Sequence, residues 1–284
     1  MPLGVILRGE QGGSGNQCTS DTALRHCALA SGRLARETAG MAIHDIRELG
    51  TILSVWAHPD DEAYLCGGIM AMATAAGSRV VCVTATHGEL GVTDAERWPP
   101  DRLAAIREAE LAECLRVLGV SEHRWLGYAD GGCADVDRGE GAERIVQVLR
   151  DVRPDTVLTF APDGQTGHPD HIAVHHWTAD AVRETAIGTL HVVANTQEWM
   201  DEFLSGLAEQ SVLMGDPPAT WTAPLSIDLL LGDEVLARKL TALAAQASQT
   251  EALRAAVGDD LYRRLIGTER FGRYPASVSV VTRG

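Results

Sequence analysis

The chain reads as an α/β protein with a mostly parallel sheet and helices on both faces. Two observations lead there. From residue 51 onward, short β-branched runs such as Thr51–Trp56 and Arg79–Thr84 alternate with helical segments, the pattern of βαβ units. The strand candidates are continuous apolar runs, which suits strands buried on both faces. At 284 residues, 45% hydrophobic and 22% charged, the composition is that of a globular chain. Residues 1–50 are read as an N-terminal extension without an assigned role, and 51–284 as a single domain.

Each element has its own justification. In the extension, Gly12, Gly13, Ser14 and Gly15 mark a flexible stretch, and a helical pattern runs from Thr22 to Leu49. Thr51–Trp56 suits a buried strand, Ala63–Ala76 a helix of small residues, and Arg79–Thr84 a second strand. Asp101–Leu118 is amphipathic: Leu103, Ile106, Leu111, Leu115 and Leu118 are apolar, while Arg107, Glu108, Glu110 and Glu113 are charged. His123–Leu126 is a short strand and Ala142–Val152 a helix. Thr156–Phe160 is a strand opened by the Pro154–Asp155 turn. A helix over His171–Thr185, a strand over Thr189–Ala194 and a helix over Glu234–Gln249 complete the pattern.

Charge and targeting exclude several classes. With 39 acidic against 24 basic residues, the net charge is −15, which repels nucleic acid and anionic lipid and favours a neutral small-molecule substrate. No run approaches the ~18 apolar residues of a membrane span. No basic segment precedes an apolar run near Met1, so no secretory signal is expected. Six scattered cysteines without a CxxC pair read as free thiols in a reducing, cytoplasmic setting. Lys239 is the only lysine, which reads as compositional bias. Homo-oligomerisation is left open.

In open α/β sheets the ligand sits beyond the carboxyl ends of the strands, and here those ends carry the unusual polar clusters. Ala57-His58-Pro59-Asp60-Asp61-Glu62 follows the first strand. It offers nitrogen and oxygen donors suited to zinc or a similar dication. Adjacent Asp60 and Asp61 cannot both aim at one atom in the same geometry, so one is expected to ligate and the other to hold a proton. Gly164-Gln165-Thr166-Gly167-His168-Pro169-Asp170-His171 follows the Thr156–Phe160 strand and repeats the His-Pro-Asp tripeptide. Helix capping by the two Asp residues is the plain alternative, but it leaves three histidines unaccounted for. His175 and His176 are read as packing or surface residues.

These motifs resemble the GlcNAc-phosphatidylinositol de-N-acetylase (PIG-L, or LmbE-like) family. The resemblance rests on AHPDDE at 57–62 with Cys66-Gly67-Gly68 behind it, and on GHPDH at 167–171. Thr86-His87-Gly88-Glu89, Gly91, Arg107, Glu110, Leu118-Gly119-Val120 and Leu126-Gly127-Tyr128 fit the same pattern. It implies a Rossmann-like, zinc-dependent hydrolase that removes acetyl from an N-acetylglucosamine-type sugar. His58, Asp61 and His171 would then hold one zinc, with Fe2+ as the other candidate metal. Asp60 would be the general base. His168 would stabilise the oxyanion or protonate the leaving amine, with Asp170 orienting it. Three protein ligands leave the open position that catalytic zinc requires.

Some positions depart from that pattern. Gln246 stands where the family often has His, and Ala129 where members acting on glucosaminyl-inositol often have Arg, which argues against a sugar-inositol substrate. Glu89 and Asp130 are candidates for sugar hydroxyls, and Trp98 or Trp199 for a stacking surface. Specificity is expected from the loops Gly91–Pro100 and Gly131–Gly141.

Overall fold

The computed structural model describes residues 45–210 and 212–275. The helix expected over Thr22–Leu49 lies outside the described residues as far as 44. Ile46–Leu49 form one 3-10 turn capped by the Asp45 side chain, with Leu49 fully buried.

Seven strands form one sheet in the order β3-β2-β1-β4-β5-β7-β6. They are β1 (Ile52–Trp56), β2 (Val80–Thr86), β3 (Glu122–Tyr128), β4 (Thr156–Thr159), β5 (Thr189–Val193), β6 (Leu225–Leu230) and β7 (Thr268–Arg273). The first five in spatial order are parallel, with Ile52 opposite both Val80 and Thr156. β7 runs antiparallel to both β5 and β6. Every residue of β1, β2 and β4 is buried, which explains their apolar runs.

The helices are α1 (Asp61–Ala75), α2 (Leu103–Leu118), α3 (Arg138–Val152), α4 (Pro169–Thr185), α5 (Gln197–Glu209), α6 (Asp233–Ala245), α7 (Ala247–Val257) and α8 (Asp259–Ile266). α3 packs on α4, while α1, α2 and α6 pack together. None of the described helices is long and apolar enough to cross a membrane.

Differences from the sequence expectations have local causes. α3 begins at Arg138 because the Asp137 side chain accepts from the Gly139 and Glu140 amides, a cap that satisfies orphan donors. The helix expected over Glu234–Gln249 breaks at Gln246, whose side chain donates to Glu62 Oε1 at 2.6 Å. α5, β6, α8 and β7 had no counterpart in the sequence reading.

Candidate metal centre and active site

β1 lies between β2 and β4, so the chain turns to opposite sides of the sheet from its central strand. That reversal opens a crevice at the carboxyl ends of β1 and β4. Residues 58–61 follow β1 and residues 164–171 follow β4, so both His-Pro-Asp motifs meet there. A cavity of about 850 Å³ opens over them.

Three donors converge at its floor. His58 Nδ1 lies 3.1 Å from His171 Nε2. The Asp61 carboxylate is 3.7 Å from the first through Oδ2 and 3.5 Å from the second through Oδ1. Donors bound tetrahedrally to zinc at ~2.0–2.2 Å stand roughly 3.4 Å apart, so these separations fit one small cation. The other ring nitrogens are already engaged. His58 Nε2 is 3.0 Å from Asp130 Oδ1 and 3.3 Å from Asp170 Oδ2. His171 Nδ1 donates to the Gly164 carbonyl at 2.9 Å. Carboxylate or carbonyl partners of this kind fix a ligand histidine's tautomer and orientation. Gly164 permits the approach: its φ is +71°, and a Cβ there would lie 2.9 Å from His171 Cβ.

Two other donor groupings also lie close together, His58–His168–His171 and His58–Asp130–Asp170. The first fits less well because His168 Nδ1 already accepts the Asp170 amide at 3.1 Å. The second sits on the far nitrogen of His58, where the carboxylates orient the ring. Burial opposes a charged His58, but hydrogen bonds to Asp130 and Asp170 and the Asp61 charge outweigh it and raise its pKa to about 10. Burial holds His171 neutral, with a pKa near 4.

Asp60 precedes α1 with φ +106°, a conformation a non-glycine residue adopts only under constraint. Its side chain makes no capping bond and lines the cavity. Burial pushes its pKa up to about 8; Arg107 opposes that shift, while Asp61 and Glu62 add to it. Arg107 is buried, donates to the carbonyls of Pro59 and Gly88, and lies 3.6 Å from Asp60 Oδ2. His168 caps α4 through Nδ1, so the neutral ring carries its proton on Nε2. Burial and the His58 charge lower its pKa.

The structure brings His58, Asp60, Asp61, His168 and His171 to one cavity. Asp170 differs from its expected role. Its carboxylate accepts from the Gly131 and Cys133 amides and meets His58, and only its backbone amide meets His168. Asp130 holds His58 and the Leu90 amide, and Glu89 Oε1 holds the Asp130 amide, so both acidic groups brace the loops. His175 is a packing residue bonded to the Phe160 carbonyl. Trp199 lines the cavity, whereas Trp98 lies under the Arg97 guanidinium and does not. Cys66, Cys82, Cys114 and Cys133 are free and buried. Arg107 had a place in the family pattern but no assigned role, although its position between Leu103 and Leu111 puts a charge on the apolar stripe of α2. That misplacement was the available signal.

Fold and site together define an α/β protein with a cluster of histidines and aspartates, a candidate cation site, at the sheet's switch point. The chain belongs to the GlcNAc-PI de-N-acetylase (PIG-L) family, whose model matches residues 53–182. It is 34% identical over 239 residues to a 1D-myo-inositol 2-acetamido-2-deoxy-alpha-D-glucopyranoside deacetylase of Nocardia farcinica, covering 70% of this chain and 80% of that one. The identically named enzyme of Kineococcus radiotolerans is 42% identical over 159 residues, 46% of this chain and 44% of that one. The match thus spans about half the length of some relatives and most of others. An N,N'-diacetylchitobiose deacetylase from Pyrococcus horikoshii shares the fold, with a TM-score of 0.57 and 22% identity over 90% of this chain and 96% of that one.

Proposed function

We propose that the chain is a zinc-dependent amidohydrolase that removes acetyl from an N-acetylglucosamine-type amino sugar. The observation that carries this is the convergence of His58 Nδ1, the Asp61 carboxylate and His171 Nε2 beside a carboxylate, Asp60, that serves no cap. The named relatives act on an acetamido sugar, which supports the same bond class here.

His58, Asp61 and His171 would hold the metal. When bound, a zinc ion polarises the amide carbonyl and acidifies water. Asp60 then takes a proton from the attacking water, and its raised pKa suits a base working near neutrality. Arg107 keeps that carboxylate in place through Pro59 and by its charge. His168 offers its Nε2 proton to the oxygen that gains charge, or to the leaving amine. Asp130 and Asp170 act through His58 by holding its ring.

A binding protein without turnover is the second reading. The positive φ of Asp60 weighs against it, since strain kept at a cavity wall needs a use. Acetate release from methyl N-acetylglucosaminide, measured after chelation and again after zinc is restored, decides between them. Zinc-restored release is expected, and zinc binding without release leaves the second reading.

A further inference from the structure

The cavity is larger and more apolar than the polar centre requires. At about 850 Å³ it lies near the top of the roughly 300–1,000 Å³ range of pockets for drug-sized ligands, more than one acetylated hexose fills. Its lining combines the polar residues of the metal site with a set of apolar side chains. Gln165, which also lines the cavity, donates to Asn195 Oδ1 at 2.9 Å, and its own Oε1 is buried without a partner. The apolar lobe of that lining includes Trp199, Leu207, Leu213, Leu253, Leu265 and Ile266. They come from α5, the segment after it, α7 and α8, none of them in the loops from which specificity is expected.

The two guanidinium groups among the lining residues are both committed. Arg107 holds backbone carbonyls beside Asp60, and Arg270 pairs with Asp228 at 2.9 Å. Among the described residues a phosphate on the substrate would meet no free guanidinium or ammonium there, in a chain of net charge −15. The lobe is continuous with the metal site, so its occupant belongs to the molecule whose amide reaches that site.

We propose that this lobe is a subsite for an unbranched apolar chain on a neutral amino-sugar substrate. The proposal rests on the deacetylase reading for the reaction and on the cavity for the chain. The apolar chain has two chemical sources, the group on the glycosidic oxygen or the acyl group on nitrogen.

Two substrate series on the zinc-loaded protein test it: alkyl N-acetylglucosaminides from methyl to decyl in both anomers, and methyl N-acylglucosaminides from acetyl to decanoyl. Each methylene that enters the lobe should raise kcat/KM about three- to fourfold until the lobe is full. A rise in the first series assigns the chain to the aglycone, and a rise in the second to the acyl group. Leu213→Glu should flatten the rising series. Calorimetric binding of octyl glucosaminide, the deacetylated product, gives a readout independent of turnover. Turnover of the methyl compound with flat profiles in both series overturns the lobe and leaves deacetylation standing. Chain-length-dependent binding without turnover keeps the lobe and sinks the reaction. Neither binding nor turnover overturns both.

Discussion

Lys239 and Glu269 form a fully buried ion pair inserted into a break in α1. The helix departs from helical geometry at Cys66 (φ −144°, ψ 21°). The Tyr64 carbonyl accepts from Lys239 Nζ at 2.8 Å, and the Gly68 and Ile69 amides donate to the two Glu269 oxygens at 2.6 and 2.7 Å. Lys239 and Glu269 themselves meet at 2.7 Å. An unbroken helix pairs Tyr64 O with Gly68 N, so the pair spans the gap between them. Gly68 allows this, because a Cβ would lie 2.6 Å from Leu231 and 3.0 Å from Glu269 Oε1. The chain's single lysine therefore has a structural role that composition concealed.

Removing one partner of that pair strands the other charge. Lys239→Met or Glu269→Gln should each cost about 3–5 kcal/mol in urea unfolding, with the double variant losing less than the sum. Asp61 rides on the turn before the break, so zinc affinity should weaken in the same proteins. Single variants within 1 kcal/mol of the parent (on the ~3–5 kcal/mol scale of buried pairs) would show the pair to be idle.

The carboxylates behind His58 supply a second expectation. Asp130→Asn or Asp170→Asn should weaken zinc binding by about 10–100-fold, whereas His171→Ala should leave no stoichiometric zinc. Metal uptake competes with protonation of His58, whose pKa its carboxylate neighbours raise, so affinity should climb with pH. Competition with a chromophoric chelator measures both. Full zinc content in His171→Ala would remove it from the ligand set.

Acid sensitivity has a separate origin, in histidines outside the proposed ligand set. His191 is buried on β5 with its pKa lowered to about 4, by burial first and then by Arg273; burial lowers His175 to about 4 as well. A folded-state pKa below the unfolded value near 6.5 means the unfolded chain takes protons first as pH falls. This contribution is full above about pH 6.5 and is lost down through about pH 4, on the order of 3 kcal/mol for each ring. Urea unfolding of His191→Gln should show a shallower pH slope over that window. An unchanged slope would clear His191 of the effect.

The proposed donors of the centre were legible because two His-Pro-Asp tripeptides each stood behind an apolar run. Strand order then places both at the switch point. Asp130 and Arg107 were harder to assign because their roles depend on contacts between distant segments: Asp130 meets His58 across the crevice, and Arg107 reaches from α2 to Pro59 and Gly88. β6 and β7 escaped because LSIDLL and TERFGR mix charges into short runs in the antiparallel end of the sheet. There only neighbouring strands decide the conformation. Likewise the Gln246 break follows from its bond to Glu62, which periodicity does not register.

The sharpest test separates Asp60 from Asp61. Both are acidic and adjacent, so a purely structural role predicts similar losses from either. The geometry separates them: Asp61 faces both histidine nitrogens and accepts the His58 amide at 2.8 Å, while Asp60 faces Arg107 and the cavity. Asp61→Ala should lower zinc content and activity together. Asp60→Asn keeps the shape and should keep the zinc, while turnover falls about 10²–10⁴-fold if proton transfer is the step lost. The pH profile adds an independent check. Asp60 acts only when ionised, so activity should fall as pH drops through its pKa. Burial sets that value near 8 without metal, and a neighbouring dication moves it lower. Arg107→Gln removes an opposing charge and should shift the acid limb upward, whereas Asp60→Asn should abolish it. Near-normal turnover of Asp60→Asn at full zinc occupancy would exclude Asp60 as the base.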